Sequence, residues 1–304
     1  MPENVPTQPP TLVIVGAASR DLDAADQRGW RLGGTVTYSA IAAANLGVRV
    51  RALVGVDALS ETAHELETLR IAGVEVLTVR LQQAPIFDNR HTEEGRVQYA
   101  LGVSDELPTA ALPADWRHPD GALLGLVAGE LGEGWAEAFP QTTFVGLAAQ
   151  GLVRGLQPGQ AVERLPLPRS GLIDRSDAIL VSAEDVVGQP TGLEPLVANG
   201  KRLVVSHGER GALLLRRPGD GRTVGRYLPP TPRRDATDTV GAGDVFLAAW
   251  IAAHLLLKTA DDWRALVVAS VMASLSVERT ALADFPTRRE LCEVLVRLRD
   301  RHLD

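Results

Sequence analysis

One cysteine, Cys292, is present among 304 residues, so no intrachain disulfide is available and nothing points to an oxidising compartment. Basic surplus is also missing: 31 Lys and Arg stand against 38 Asp and Glu, a net charge of −7, with no Lys/Arg block. An acidic chain of this kind repels phosphate backbones, which removes DNA and RNA from the expected partners. No apolar run is long enough to span a bilayer; the longest, from Val245 to Leu257, contains His254 and reads as a buried helix. The first ten residues are proline-rich without the apolar stretch of a secretory signal, and read as a frayed tail. The six histidines show no metal-ligand spacing. These absences point to the cytoplasm. The remainder, 45% hydrophobic and 23% charged, suits a globular enzyme built as a single domain, with residues 1–10 outside it.

The alternation of elements is that of an α/β protein. Residues 12–16 form an apolar run stopped by Gly16. Residues 35–46 are small and helical in character, and end at Gly47. Residues 48–54 and 74–79 read as strands on either side of a helical period over 58–72. This β-α-β-α-β order predicts a parallel sheet with helices on both faces. Residues 86–99 break the pattern with hairpin chemistry around Thr92-Glu-Glu-Gly95, which suggests a lid over a ligand site. The lid draws on about residues 17–32 and 84–103, with an edge able to pair with a second copy as a homodimer. Further strands are expected at 122–127, 143–147, 178–181, 203–205, 212–215 and 224–228, and helices at 241–257, 261–279 and 287–301.

The chemistry is concentrated in Asp238-Thr-Val-Gly-Ala-Gly-Asp244, between a turn-rich segment and an apolar helix. The first turn of a helix leaves backbone N–H groups without partners and carries partial positive charge. Small residues let an anion approach those donors, so Gly241, Ala242 and Gly243 can cradle a phosphate. The carboxylate of Asp244, one residue further on, can accept the proton of an attacking hydroxyl. Anion binding beside a base is what phosphoryl transfer requires. Two other routes to nucleotide chemistry fail: Gly16-Ala-Ala-Ser-Arg-Asp21 is not a dinucleotide fingerprint, and the one Gly-Lys pair, Gly200-Lys201, is followed by Arg202 and makes no P-loop.

This heptapeptide resembles the C-terminal signature of the ribokinase-like (PfkB) carbohydrate kinase family. Gly33-Gly34-Thr-Val-Thr-Tyr38-Ser-Ala40-Ile-Ala-Ala-Ala-Asn45-Leu46-Gly47 is similar to the N-terminal one, and the order of elements agrees over roughly residues 12–300. The resemblance implies a three-layer α-β-α sandwich with a mostly parallel central sheet and a small β lid. It implies an ATP- and Mg²⁺-dependent kinase acting on a hydroxyl of a sugar or sugar-like alcohol, with Asp244 as base. A nucleoside kinase, or a non-catalytic ligand sensor, is the alternative. For the nucleotide it implies Ser182, Ser206, Gly208, Gly211 and Ser270. For the acceptor it implies Asp21, Gly33, Gly34, Tyr38 and Asn89, and Gln150 is added from its place, with Arg154, after a strand at the carboxyl edge of the sheet.

Two departures from the family pattern stand out. Where many members have Asn-x-x-Glu beside hydrated magnesium, this chain has Ser182-Ala-Glu-Asp185, one methylene shorter at the carboxylate; Asp185 is the expected Mg²⁺ residue, with Glu184 as a substitute. Tyr38 stands where ribokinase has an asparagine, which argues against ribose. Asp238 stands where some members hold a monovalent cation such as K⁺, and equally well caps the turn before the helix.

Overall fold

A computed structural model of the chain describes residues 8–300, apart from 93–94, 187–192, 220, 259–261, 281 and 283. Strand β1 (Thr11–Ala17) is apolar and buried on both faces, which is the pattern of a central parallel strand. Leu12, Val13, Ile14 and Val15 are fully enclosed, and each such side chain contributes about 1.5–3 kcal/mol by leaving water. After β1 the chain enters a small accessory sheet through β2 (Ser19–Leu22) and β3 (Trp30–Gly33), then forms helix α1 (Thr35–Leu46). Strand β4 (Arg49–Val56), helix α2 (His64–Ile71) and strand β5 (Glu75–Arg80) follow. The hairpin β6 (Ile86–Thr92) and β7 (Gly95–Gly102) returns to the accessory sheet; the expected turn at 93–94 lies outside the described residues.

Strands β8 (Gly121–Gly125) and β9 (Phe144–Ala148) resume the main sheet. Three short strands, β10 (Arg154–Gly155), β11 (Gln160–Ala161) and β12 (Glu163–Arg164), precede the five-residue helix α3 (Gly171–Arg175). Then come β13 (Ala178–Ser182), β14 (Arg202–Ser206), β15 (Ala212–Arg216), β16 (Val224–Leu228) and helices α4 (Ala242–Leu257), α5 (Asp262–Ser276) and α6 (Arg288–Asp300). Among the described residues the main sheet has nine strands in the order β16-β15-β14-β13-β9-β8-β1-β4-β5. The seven from β14 to β5 are parallel, and β15 and β16 are added antiparallel. One core, against α1, α2, α4 and α5, uses many alanines that let α1 and α4 approach closely; the other face packs Trp116, Trp135 and Phe139 with α3. This is the mostly parallel α-β-α sandwich that the sequence implied.

The accessory sheet is larger than the sequence indicated. Among the described residues it has five strands, β11-β7-β6-β2-β3, to which Gln160 and Ala161 add an edge strand with no sequence signal of its own. Ion pairs anchor it to the sandwich: Arg20 with Asp57 at 2.8 Å and Arg28 with Glu65 at 2.6 Å. The expected helix over 58–72 is shorter, because Asp57 Oδ1 accepts from the N–H groups of Leu59 (3.0 Å) and Ser60 (2.8 Å). Those local bonds compete with helical ones, and α2 begins only at His64.

Glu130 holds the carboxyl ends of the central strands. Its side chain is fully buried and accepts from the backbone N–H groups of Ala17 (3.2 Å), Val127 (3.1 Å) and Ala128 (2.8 Å). Removing it strands three buried donors, each costing about 1–3 kcal/mol. Glu130→Ala is therefore expected to lower unfolding free energy in urea by about 3 kcal/mol or more; a change below about 1 kcal/mol would show that the loop closes without it.

Candidate active site

Two helix starts define the site. Helix α1 begins after Gly34, whose φ of 94° is left-handed and whose missing Cβ would otherwise lie 2.7 Å from the Ala17 carbonyl oxygen. Helix α4 begins after Gly241, φ 77°, which lies on the ring of Tyr38: a Cβ there would be 2.5 Å from Tyr38 Cγ. The two starts meet at Asp244. Thr35 Oγ1 donates to Asp244 Oδ1 at 2.7 Å, and Gln150 Nε2 in turn donates to Thr35 Oγ1 at 3.1 Å. Ser39 Oγ donates to the Asp244 carbonyl oxygen at 3.2 Å, which adds a second tie between the helices.

Asp244 lies on the shared wall of two cavities. The smaller, about 320 Å³, is bounded by Ser19, Asp21, Gly34, Tyr38, Phe87 and Gln98 and reaches the Gly241–Asp244 turn. The larger, about 1050 Å³, runs from the same turn past Ser182, Ser206, Gly208 and Gly211 to Ser270 on α5. Gln150, Arg154, Glu184, Asp185, Thr239, Ala242, Gly243 and Asp244 border both. The N–H groups of Gly243 and Asp244, in the first turn of α4, have no carbonyl of that helix to bond. That of Ala242 has only the Thr239 oxygen at 3.4 Å. Loss of solvent around Asp244 pushes its pKa up to about 6, against the Thr35 hydrogen bond and the nearby charge of Arg154, which pull it down.

The residues named from sequence fall into place as follows. Asp21, Gly34, Tyr38 and Gln150 line the smaller cavity; Ser182, Ser206, Gly208, Gly211 and Ser270 line the larger. Gly33 lies behind them, with no room for a side chain because Asp21 Oδ2 would sit 2.3 Å from its Cβ. Asn89 does not line either cavity; its Oδ1 accepts from Gln98 Nε2 at 3.0 Å, and Gln98 faces the cavity in its place. Asp238, expected beside a monovalent cation, instead receives Arg31 Nη1 at 2.6 Å on one oxygen and the Val240 N–H at 2.9 Å on the other. Asp185, expected beside Mg²⁺, has both oxygens occupied by Arg154, with Nε at 3.1 Å and Nη2 at 2.9 Å. Ser270 is also engaged, its hydroxyl 2.8 Å from that of Thr231.

Sequence reasoning missed Thr35, Gln98, Arg31 and the role of Arg154. Thr35 has a signal that could have found it, since it is the first helical residue after Gly33-Gly34. The others become visible only when distant segments meet.

The matched model of the pfkB family, described as pfkB family carbohydrate kinase, covers residues 181–288. No curated protein matches the chain in sequence. Among solved structures, a pyrophosphate-dependent kinase of the ribokinase family, complexed with a pyrophosphate analog and myo-inositol, superposes with a TM-score of 0.69 at 18% identity, covering 93% of this chain and 99% of that one. A nucleoside kinase of Methanocaldococcus jannaschii superposes with a TM-score of 0.68 at 15% identity over 95% of this chain and 99% of its own. Ribokinase of Arabidopsis thaliana, complexed with ribose and ATP, gives 0.68 at 19% identity with the same two coverages, 95% and 99%. The fold is the ribokinase-like one. The resemblance to the pfkB family carbohydrate kinases holds in sequence over 181–288 and in fold over nearly the whole chain.

The raised pKa of Asp244 carries a stability consequence. In the folded chain the carboxyl gives up its proton near pH 6, above its ordinary value of 3.8. Folding is thus free of the ionisation cost below the lower value and bears it fully above the upper one. Asp244→Asn is expected to melt at a higher temperature than the parent at pH 8, with the gap closing as pH falls from about 6 to about 4. A gap that is constant across that window would contradict the buried, ionising carboxyl.

Proposed function

We propose that the chain is an ATP-dependent kinase that phosphorylates a hydroxyl of a sugar or sugar-like alcohol. One observation carries this reading: Asp244, with a pKa near neutrality, stands where the two cavities adjoin, beneath the unpaired N–H groups of the α4 start. A base of that pKa is matched to work near pH 7.

In this reading the nucleotide lies in the larger cavity and the acceptor in the smaller. The acceptor's O–H gives its proton to Asp244 while its oxygen attacks the γ-phosphorus. The bond from that phosphorus to the β-bridging oxygen breaks, and ADP leaves. The α4 N-terminus and its Gly-Ala-Gly turn stabilise the charge on the moving group. Thr35 and Gln150 orient the carboxylate. The length of the larger cavity, out to Thr231, Ser270, Ser274 and Val277, favours a nucleotide over a bare inorganic donor, which would occupy only its inner end.

The acceptor cavity favours a small polyhydroxylated ligand. Asp21, only 6% exposed, can accept from two neighbouring hydroxyls, and Tyr38 Oη is buried without a partner among the described residues. Burial and the charge of Asp21 push the Tyr38 pKa up, so it keeps its proton and remains a donor.

Asp185 does not fit a magnesium site, and its substitute Glu184 borders both cavities with a side chain that is 84% exposed. Among the described residues no group of three His, Cys, Asp or Glu could hold a metal, and Asp185 is committed to Arg154. A divalent ion therefore belongs to this reading as a companion of the nucleotide phosphates. Among the described residues no helix is long and apolar enough to cross a membrane.

The test is acceptor-dependent release of ADP across a panel of sugars, polyols and nucleosides. Asp244→Asn should reduce kcat roughly 10²–10⁴-fold, and the parent's kcat/KM should fall tenfold per pH unit below about pH 6. Undiminished turnover in Asp244→Asn would refute the base. Because Arg31 already balances Asp238, exchanging K⁺ for a bulky organic cation at constant ionic strength should change the rate less than about twofold; a tenfold loss would restore the cation to that carboxylate.

A further inference from the structure

Arg154 is the only cationic side chain on the shared wall of the two cavities among the described residues. Arg164 borders the acceptor cavity alone, and Arg210, Arg233 and Arg234 border the nucleotide cavity alone. Arg164 is 54% exposed beside Glu184, and Arg233 faces Glu209 at 3.7 Å. Arg154 is fixed at the junction from three directions. It opens the short ribbon β10–β12, opposite Arg164, and the backbone bond from Leu165 N–H to the Val153 carbonyl at 2.8 Å holds the ribbon's base. Asp185, 3% exposed, takes Nε and Nη2 as a parallel pair. From the lid, Gln98 Oε1 accepts from Nη1 at a long 3.4 Å.

A guanidinium has five N–H donors in a planar fork. Two are committed to Asp185 and one makes the long bond to Gln98, so donors remain at the junction. A buried carboxylate that holds a guanidinium by one edge fixes the other edge in a defined direction.

We infer that Arg154 is a catalytic residue that binds the transferred phosphoryl group, and that Asp185 is its positioning residue rather than a carboxylate for magnesium. This rests on the kinase reading above and deepens it at the same site. The Ser182-x-x-Asp185 sequence then has a physical reason: the shorter carboxylate is sized to grip Arg154 at 2.9 Å from the end of β13. During transfer the γ-phosphoryl leaves the bridging oxygen of ADP for the acceptor oxygen, while the acceptor proton passes to Asp244. Arg154 forms and breaks no covalent bond; its N–H groups follow the equatorial oxygens from one cavity to the other. Gln98 is on β7, so the accessory sheet contacts the same guanidinium.

The experiment begins with parent turnover of ATP with the best acceptor from the panel. Absence of acceptor-dependent ADP there refutes the kinase reading and this inference with it. Given turnover, Arg154→Ala should lower kcat about 10²–10³-fold, with the KM for ATP changed less than about threefold. Added guanidinium chloride should restore at least tenfold of that loss at concentrations where the parent is unaffected. Arg154→Lys, which keeps the charge but not the fork, should remain at least tenfold impaired. Asp185→Asn should lose about tenfold in kcat with an unchanged Mg²⁺ concentration for half-maximal rate. Retention of parent kcat in Arg154→Ala, or loss without guanidinium rescue in a variant that melts like the parent, would overturn the phosphoryl contact while leaving the kinase reading standing. A rise in the Mg²⁺ requirement of Asp185→Asn would return that carboxylate to the metal.

Discussion

The hydrogen bond from Thr35 to Asp244, 2.7 Å long, is the contact on which the site depends. It joins the first residue of α1 to the first turn of α4, two elements 209 positions apart in sequence. Neither helix could begin there with an ordinary residue before it, since Gly34 and Gly241 both hold positive φ against close neighbours. Tyr38 completes the arrangement by supporting the Gly241 turn from below. The proposed base, the proposed anion-binding turn and the smaller cavity thus meet at one packing junction between α1 and α4.

Charge balance shapes the rest. Four acidic side chains, Asp21, Asp185, Asp238 and Asp244, stand around the junction, and loss of solvent raises the pKa of Asp244. Arg31 offsets Asp238 and Arg154 offsets Asp185, both through short, direct contacts. Asp244 has the Thr35 hydroxyl as its hydrogen-bond partner, and loss of solvent pushes its pKa up to about 6.

Much of this could be read from the sequence because its cause is local. Glycine before a helix, small residues in its first turn and a carboxylate one step beyond are a physical recipe for anion binding, and they singled out Gly241 to Asp244; the serines lining the larger cavity came from the family resemblance instead. Apolar runs marked most strands of the main sheet, though not their order across it. What escaped was non-local. Arg154 and Asp185 are 31 residues apart, and Arg31 and Asp238 are 207 apart; only the folded chain shows that each guanidinium stands where an ion was expected. Asn89 was misplaced by one strand, because a hairpin's pairing partner, here Gln98, is set by register rather than by residue type. The two-residue strand β11 is too short for any periodicity to reveal.

The central claim is that donor and acceptor sit together on either side of Asp244 and exchange the phosphoryl group directly. The most direct measurement is the initial-rate pattern with ATP and acceptor varied against each other. Direct transfer across the shared wall requires both to be bound at once, and predicts intersecting double-reciprocal lines. Parallel lines, the mark of a phosphorylated enzyme formed before the acceptor binds, would contradict it.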